Sequence, residues 1–290
     1  FISLLACSPA AQDQSEATKS AMPEKEAVVQ PEETSVDTDQ ASESAPELAV
    51  FDQTQTNTAA MKSISSGVGQ KIEMTAALLG SLCTNKYGCI EEVIRPLGWS
   101  NDGKFAYLIE GAYEAVNNYK LQLFIQDMET DKIVAEQSWE ASKQAGWTEE
   151  QDVDFQKVWA TERSNFVGLI AEHQIQEGLG VELLSLPYSF KGRRYQFKNG
   201  DVKIQSDYTG SEIVSKHELV TIADGLGKKR IANVKFGKYD LVQATHVLGI
   251  FKSPFEDRVA VLDAAEYRGY EGPPNVLKFK LVGCLLEEGF

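Results

Sequence analysis

An α+β body, mainly antiparallel β-sheet with one long amphipathic helix over about residues 148–177, is the fold class this 290-residue sequence predicts. Three observations predict it. Beyond about residue 66, short runs of Val, Ile, Leu, Phe and Tyr alternate with polar residues, the period of two that half-buried strands require. One stretch instead repeats its apolar residues at helical spacing. Two distant stretches, 99–127 and 252–282, share a Ser-led turn followed by an alternating strand. Some 220 residues are enough to bury a real core.

The elements follow in chain order. Residues 1–7 form an apolar run closed by Leu4-Leu5-Ala6-Cys7. This resembles the lipobox of bacterial lipoproteins. The resemblance implies that residues 1–7 hold the end of a signal peptide, that the chain is cut before Cys7, and that the Cys7 thiol carries lipid. A membrane is then a partner through the anchor, and the bacterial cell envelope is the location. Ser8 differs from the Asp that retains inner-membrane lipoproteins, which implies the periplasmic side of the outer membrane.

Residues 8–65 are poor in large apolar side chains and rich in Ala, Ser, Thr, Gln, Glu and Pro, the composition of a disordered acidic linker. Residues 1–52 hold eleven acids and two lysines, a net of −9 out of −15 for the chain. Such a linker repels itself and extends, which would hold a body away from an anionic surface. The globular domain is expected over 66–290. No apolar run after residue 7 reaches the roughly 18 residues of a spanning helix. No basic patch stands out along the chain, which argues against a nucleic-acid partner.

Cys83 and Cys89 flank the turn-like Thr84-Asn85-Lys86-Tyr87-Gly88. In an oxidising compartment they suit a disulfide, with two free thiols as the alternative. The spacing is not that of a Cys-x-x-Cys redox pair, and no His or further Cys nearby completes a zinc site. The first hairpin then begins at Trp99-Ser100-Asn101-Asp102-Gly103-Lys104 and continues through Tyr113 and Glu114 into a strand from Tyr119 to Asp127. Thr148 with Gln151 reads as a capping box. Phe155, Val158, Trp159, Phe166, Leu169 and Ile170 follow as a core stripe, and Gly178 and Gly180 end the pattern.

After the helix, Tyr195–Lys198 and Asp201–Ile204 flank Asn199-Gly200, the strongest short-range hairpin signal. Further strands are expected at 218–222, 230–236 and 241–251. The second related hairpin starts at Ser253, passes Tyr267, Arg268, Tyr270 and Glu271, and returns over 276–282. The Ser-x-Asp-Gly-Lys turn and its strand resemble the blade motif of TolB-like and WD40-like propellers, which offers a partial β-propeller-like all-β fold as the alternative. The region as a whole resembles uncharacterised families of predicted exported proteins, which bring no catalytic residues.

Chemistry is sparse. The three histidines, His173, His217 and His246, form no ligand pair in sequence. Gly225-Leu226-Gly227-Lys228 lacks phosphate-loop spacing. Asn101 and Asp102 suit an Asx-turn better than a calcium loop. No cofactor and no metal are therefore expected, and Cys284 reads as a buried thiol. The expected function is a non-enzymatic binding module of the envelope that takes a protein, glycan or small ligand at its hairpin tips, through Tyr113, Glu114, Tyr267, Arg268 and Tyr270. The alternatives are an envelope hydrolase using paired carboxylates, drawn from Asp102, Glu110, Asp257 and Glu266, and a structural spacer.

Overall fold

The computed structural model describes residues 71–74, 76–111, 118–148, 153–269 and 272–290. All lie in the second of two compact units of the chain, residues 53–290. Cys7, the linker, Tyr113, Glu114, Tyr270 and Glu271 fall outside the described residues. Strands take 52% of what is described and helices 12%. The body is therefore mainly β rather than strictly α+β.

Three sheets make the body. The first joins β2 (Val93–Trp99), β3 (Lys104–Gly111), β4 (Lys120–Asp127) and β5 (Ile133–Glu140) as a meander, with the short β6 (Gln176–Glu177) beside β2. The second joins β7 (Tyr188–Phe190), β8 (Arg193–Gln205), β9 (Glu212–Ala223) and β10 (Gly227–Lys235). The third joins β11 (Val242–Lys252), β12 (Arg258–Tyr267) and β13 (Asn275–Leu285), all antiparallel, and adds β1 (Cys89–Glu91) parallel to β13. Two helices accompany them, α1 (Ala76–Leu82) and α2 (Phe155–Glu172).

Strand alternation decides the layering. Along β3, Phe105, Tyr107 and Ile109 face one apolar cluster, and Ala106 and Leu108 face another. The first cluster is shared with Phe251, Ala260, Leu262, Ala264, Leu277 and Leu281 of the third sheet. The second is covered by Phe155, Val158, Phe166 and Ile170 of α2. The opposite face of the third sheet, with Val259, Val261, Val282 and Cys284, packs on Tyr195, Phe197, Leu219 and Ala223 of the second. The third sheet is thus sandwiched, and β12 is buried on both sides along most of its length. The layers run α2, first sheet, third sheet, second sheet.

The helix is shorter than the sequence pattern suggested. Asp154, not Thr148, is its N-cap: the Asp154 carboxylate accepts from the Lys157 N–H at 2.9 Å. It ends before the glycines, where Gln174 turns left-handed (φ 55°) and the Ile175 N–H reaches back to the Ile170 carbonyl at 3.0 Å. Ile175 then joins the core under α2, and that burial sets the stop.

A second correction concerns Asn199-Gly200, which is no turn. Both lie inside the 13-residue β8 and pair with Leu219 and Glu218. Tertiary contact overrides the local signal: the Asn199 amide donates to Thr245 Oγ on β11 at 2.9 Å, which holds the strand straight. The reversal comes later, at Ser206–Ser211.

The two related turns share one closing bond, and a third turn has it too. Ser100 N–H donates to the Lys104 carbonyl, Ser253 N–H to that of Arg258, and Ser206 N–H to that of Ser211, each at 2.9 Å. All three serines are buried. Each turn joins two antiparallel neighbours, one pair in each sheet: β2 and β3, β8 and β9, β11 and β12. Trp99, before the first turn, is fully buried and donates its indole N–H to the Gly180 carbonyl at 3.1 Å.

Candidate functional site

The Cys83 and Cys89 sulfurs are bonded, with Cα atoms 5.9 Å apart. The loop they close is held on the third sheet. The Thr84 N–H donates to the Glu266 carboxylate at 2.9 and 3.1 Å, and the Asn275 amide donates to the same carboxylate at 2.6 Å. Cys284 is buried, and burial pushes its thiol pKa up. Denatured but unreduced protein with an unmodified Cys7 should therefore titrate two thiols of the four cysteines, rising to four on reduction. Four thiols before reduction would remove the bridge.

Tyr267 and Arg268, predicted together at a tip, have different fates. Tyr267 is half-buried. Its ring meets Phe236 edge-on at 6.4 Å, and Lys278 Nζ sits 5.0 Å from the ring centre. Burial raises its phenol pKa. Tyr267 is thus part of the floor. Arg268 is exposed, and its N–H ties to the Leu241 carbonyl at 3.1 Å.

That bond brings Arg268 to the end of the second sheet, where the fold collects residues the sequence scattered. Val202 on β8 and Lys235 on β10 both stand opposite Lys216 on the middle strand β9, so the three share one row. Ile204 stands opposite Ile213, next to the 206–211 turn. The Phe236 N–H donates to the Ser215 carbonyl at 3.0 Å, which sets the 237–240 turn at the same end. Asp240 shapes that turn by accepting from the Gly237 N–H at 2.6 Å. Tyr208 on the first turn is 76% exposed and Tyr239 on the second 71%; Val202 and Ile204 are 47% and 46% exposed. Lys235, Lys238 and Arg268 are exposed at the same end, and so are Asp207, Glu212 and Asp240. Residues 188–240 carry eleven Lys and Arg against six Asp and Glu, a net of +5 in a chain of −15. Many positions of this face are polar or exposed, Lys198, Gly200 and Val202, then Lys216 and Glu218, then Lys228 and Arg230, while Val220 between Lys198 and Arg230 is buried. That polar face is the signal sequence reading missed, because the net charge of the whole chain hides it.

Beneath the row lies a buried polar cluster. His217, 1% exposed, points inward from β9. Its Nδ1 is 2.9 Å from Asp201 Oδ1, and its Nε2 is at an ion-pair distance of 3.0 Å from Asp263 Oδ2. Thr245 Oγ lies 2.9 Å from the same Nδ1 and within 2.9 Å of both Asp201 oxygens. Burial alone would lower the imidazole pKa. The two carboxylates outweigh it and push the pKa up to about 9. A hydroxyl, an imidazole and a carboxylate in contact invite a nucleophile reading. The geometry opposes it, since a carboxylate faces each ring nitrogen and Thr245 is buried. The cluster joins the second sheet to the third as an ionic lock. His246, by contrast, has its pKa lowered by burial.

The carboxylates considered for hydrolysis do not converge. Glu110 binds Arg95 at 2.5 Å and the Tyr119 hydroxyl at 2.8 Å. Asp102 binds Lys104 and the Ser100 hydroxyl, Asp257 binds Lys191, and Glu266 holds the disulfide loop. A cavity of about 200 Å³ is lined by Lys71, Ile72, Glu73, Met74, Glu91, Glu92 and Val93. Burial raises both Glu91 and Glu92 there. The Glu92 carboxylate accepts from the Phe279 N–H at 3.1 Å, Lys71 pairs with Glu73 at 3.8 Å, and Glu91 keeps one buried oxygen without a hydrogen-bond partner. Among the described residues no group of three or more His, Cys, Asp or Glu is placed to hold a metal, and no helix is long and apolar enough to cross a membrane.

No family model, curated protein or solved structure matches the chain.

Proposed function

We propose that this protein is a lipid-anchored binding module of the bacterial envelope, tethered through Cys7 and the acidic linker, on the periplasmic side of the outer membrane. The observation that carries the binding half is the end of the second sheet. Tyr208, Tyr239, Val202 and Ile204, four of the nine exposed large apolar side chains among the described residues, stand there, and Arg268 is exposed at the same end. Tyr and Arg are the residue types over-represented where partners bind. The Leu4-Leu5-Ala6-Cys7 pattern supports the anchor, and the disulfide suits an oxidising compartment.

The anchor half has a direct test. Cells fed a palmitate analogue should label the wild-type protein and leave Cys7→Ser unlabelled. Equal labelling of both, or none of the wild type, removes the anchor.

A further inference from the structure

We infer that the Cys83–Cys89 bridge is a thiol–disulfide exchange site, and that its opening by a dithiol passes a proton to His246. The bridge holds down more than its own loop. Thr84, just after Cys83, gives its N–H to both oxygens of Glu266, and Cys89 Sγ lies 3.7 Å from one of them. Glu266 is fully buried. Its partners among the described residues include two neutral donors, the Thr84 N–H and the Asn275 amide. Leu82, just before Cys83, accepts a hydrogen bond from the His246 ring through its carbonyl. Residues 82–84 thus clasp a buried carboxylate and a half-buried imidazole.

Register puts those two groups within reach of each other. His246 on β11 stands opposite Ala264, and Glu266 lies two residues further along β12, opposite Ala244. Side chains at such diagonal positions share a face roughly 7–8 Å apart, and long ones meet. Glu266 acts on the ring most strongly, then the Leu82 carbonyl, then Asp201 and Asp263, and all four favour its charged form. Burial outweighs them and holds the imidazole pKa below its usual value. The ring Nε2 is buried without a hydrogen-bond partner. The bridged state therefore keeps a neutral ring near a carboxylate. When residues 82–84 lift away, water reaches the ring and takes over from the Leu82 carbonyl. The desolvation that opposed its charge falls. Glu266 loses the Thr84 N–H and gains an imidazolium in its place.

The bridge is open to attack. Cys83 and Cys89 are half-buried, and Thr84, Lys86 and Tyr87 between them are exposed, so a thiolate reaches the sulfurs from solvent. Cysteines six residues apart constrain little of the chain. Broad apolar clusters join the three sheets, so opening the bridge frees a loop and leaves the body folded. In the exchange the bond between the two cysteine sulfurs breaks and the dithiol's two sulfurs bond to each other. The dithiol is oxidised, and its two electrons and two protons pass to Cys83 and Cys89. The third proton, taken by His246, comes from solvent.

The test uses full-length Cys7→Ser protein, whose cysteines are then Cys83, Cys89 and Cys284. It is equilibrated with mixtures of reduced and oxidised dithiothreitol, without denaturant, between about pH 5 and pH 7.5. Alkylation and mass spectrometry measure the fraction opened, and circular dichroism follows the fold. In this range exchange with dithiothreitol alone moves no net proton, because the thiols on both sides stay protonated. His217, with its pKa near 9, stays protonated as well. The equilibrium constant for opening should rise roughly tenfold as pH falls across the range, because the opened form binds the extra proton more tightly. His246→Gln keeps a donor for the Leu82 carbonyl and should flatten the curve. By NMR, the His246 ring should titrate at higher pH in Cys83→Ser with Cys89→Ser than in the bridged protein. A bridge that resists dithiothreitol until the body unfolds overturns the inference. So does opening that ignores pH, a pH dependence that His246→Gln keeps, or a His246 titration that the double variant leaves in place. Loss of the palmitate label in cells leaves these results unchanged, so the anchor and the clasp fail separately.

Discussion

Between about pH 6.5 and pH 9.5 the protein is expected to lose on the order of 2–3 kcal/mol of folding free energy through His217 alone. The imidazole pKa stands near 9 in the folded protein against an ordinary 6.5. A raised histidine pKa means that the folded state binds the proton more tightly. The stabilisation is therefore complete below about pH 6.5 and disappears as pH rises through about 9. Its source is the pair of carboxylates, Asp201 on β8 and Asp263 on β12, on either side of the ring. Because one belongs to the second sheet and the other to the third, deprotonation loosens the joint between sheets rather than a single strand. His217→Ala should cost about 3–5 kcal/mol at neutral pH, since it leaves the half-buried Asp201 and the buried Asp263 without the cation between them. Asp263→Asn keeps the shape and should flatten the pH dependence with a smaller loss. Urea unfolding across this pH range measures both. Parallel wild-type and Asp263→Asn curves would remove the lock.

Gly283→Ala is expected to be among the costliest methyl groups that can be added to the body. A Cβ at this position of β13 would lie 1.8 Å from the Met128 carbonyl oxygen and 2.6 Å from its carbon. Both are backbone atoms, so no side chain can swing away. The neighbourhood is already tied: the Gly283 N–H donates to Asp131 Oδ1 at 2.7 Å, and Arg258 Nη1 donates to the Met128 carbonyl at 3.0 Å. The first and third sheets would have to part there. A loss of about 3 kcal/mol or more, or a fall in Tm of roughly 6–12 °C, follows. Gly200→Ala is the comparison. Its Cβ would meet Glu218 Cβ at an ordinary 3.7 Å, and it should melt within a few degrees of wild type. A Gly283→Ala protein that melts like Gly200→Ala would refute the close approach.

The parts of the fold that were legible are those set by local periodicity. The core stripe of Phe155, Val158, Phe166 and Ile170 and the strands around Val220, Ile231 and Val247 announce themselves by spacing. What failed was set across strands. Asn199-Gly200 has turn chemistry, yet its partner Thr245 lies on another sheet. Asp154 caps α2 where Phe155 and the core fix the start of the helix, although the Thr148 and Gln151 spacing offers a capping box six residues earlier. The site suffered the same way. His217 and His246 look alike in sequence, but register places carboxylates in contact with both sides of the first and leaves the second where burial outweighs the carboxylates around it. The exposed end with Val202, Ile204, Tyr208 and Tyr239 is assembled from β8 and two turns, so no window of the sequence contains it.

The parallel pairing of β1 with β13 also imposes a timetable. Any machine that delivers this chain from its amino end releases Cys89 long before its register partner Asn275. During that interval β1 has no ladder to join, and the third sheet is missing the strand that holds its edge. Cys83 and Cys89, six residues apart, need no such wait. The bridge can close while most of the body is still to come, and the Thr84 N–H meets Glu266 only once β12 has arrived. The last strands thus act as a latch, and completion of the body is reported at its amino-terminal edge.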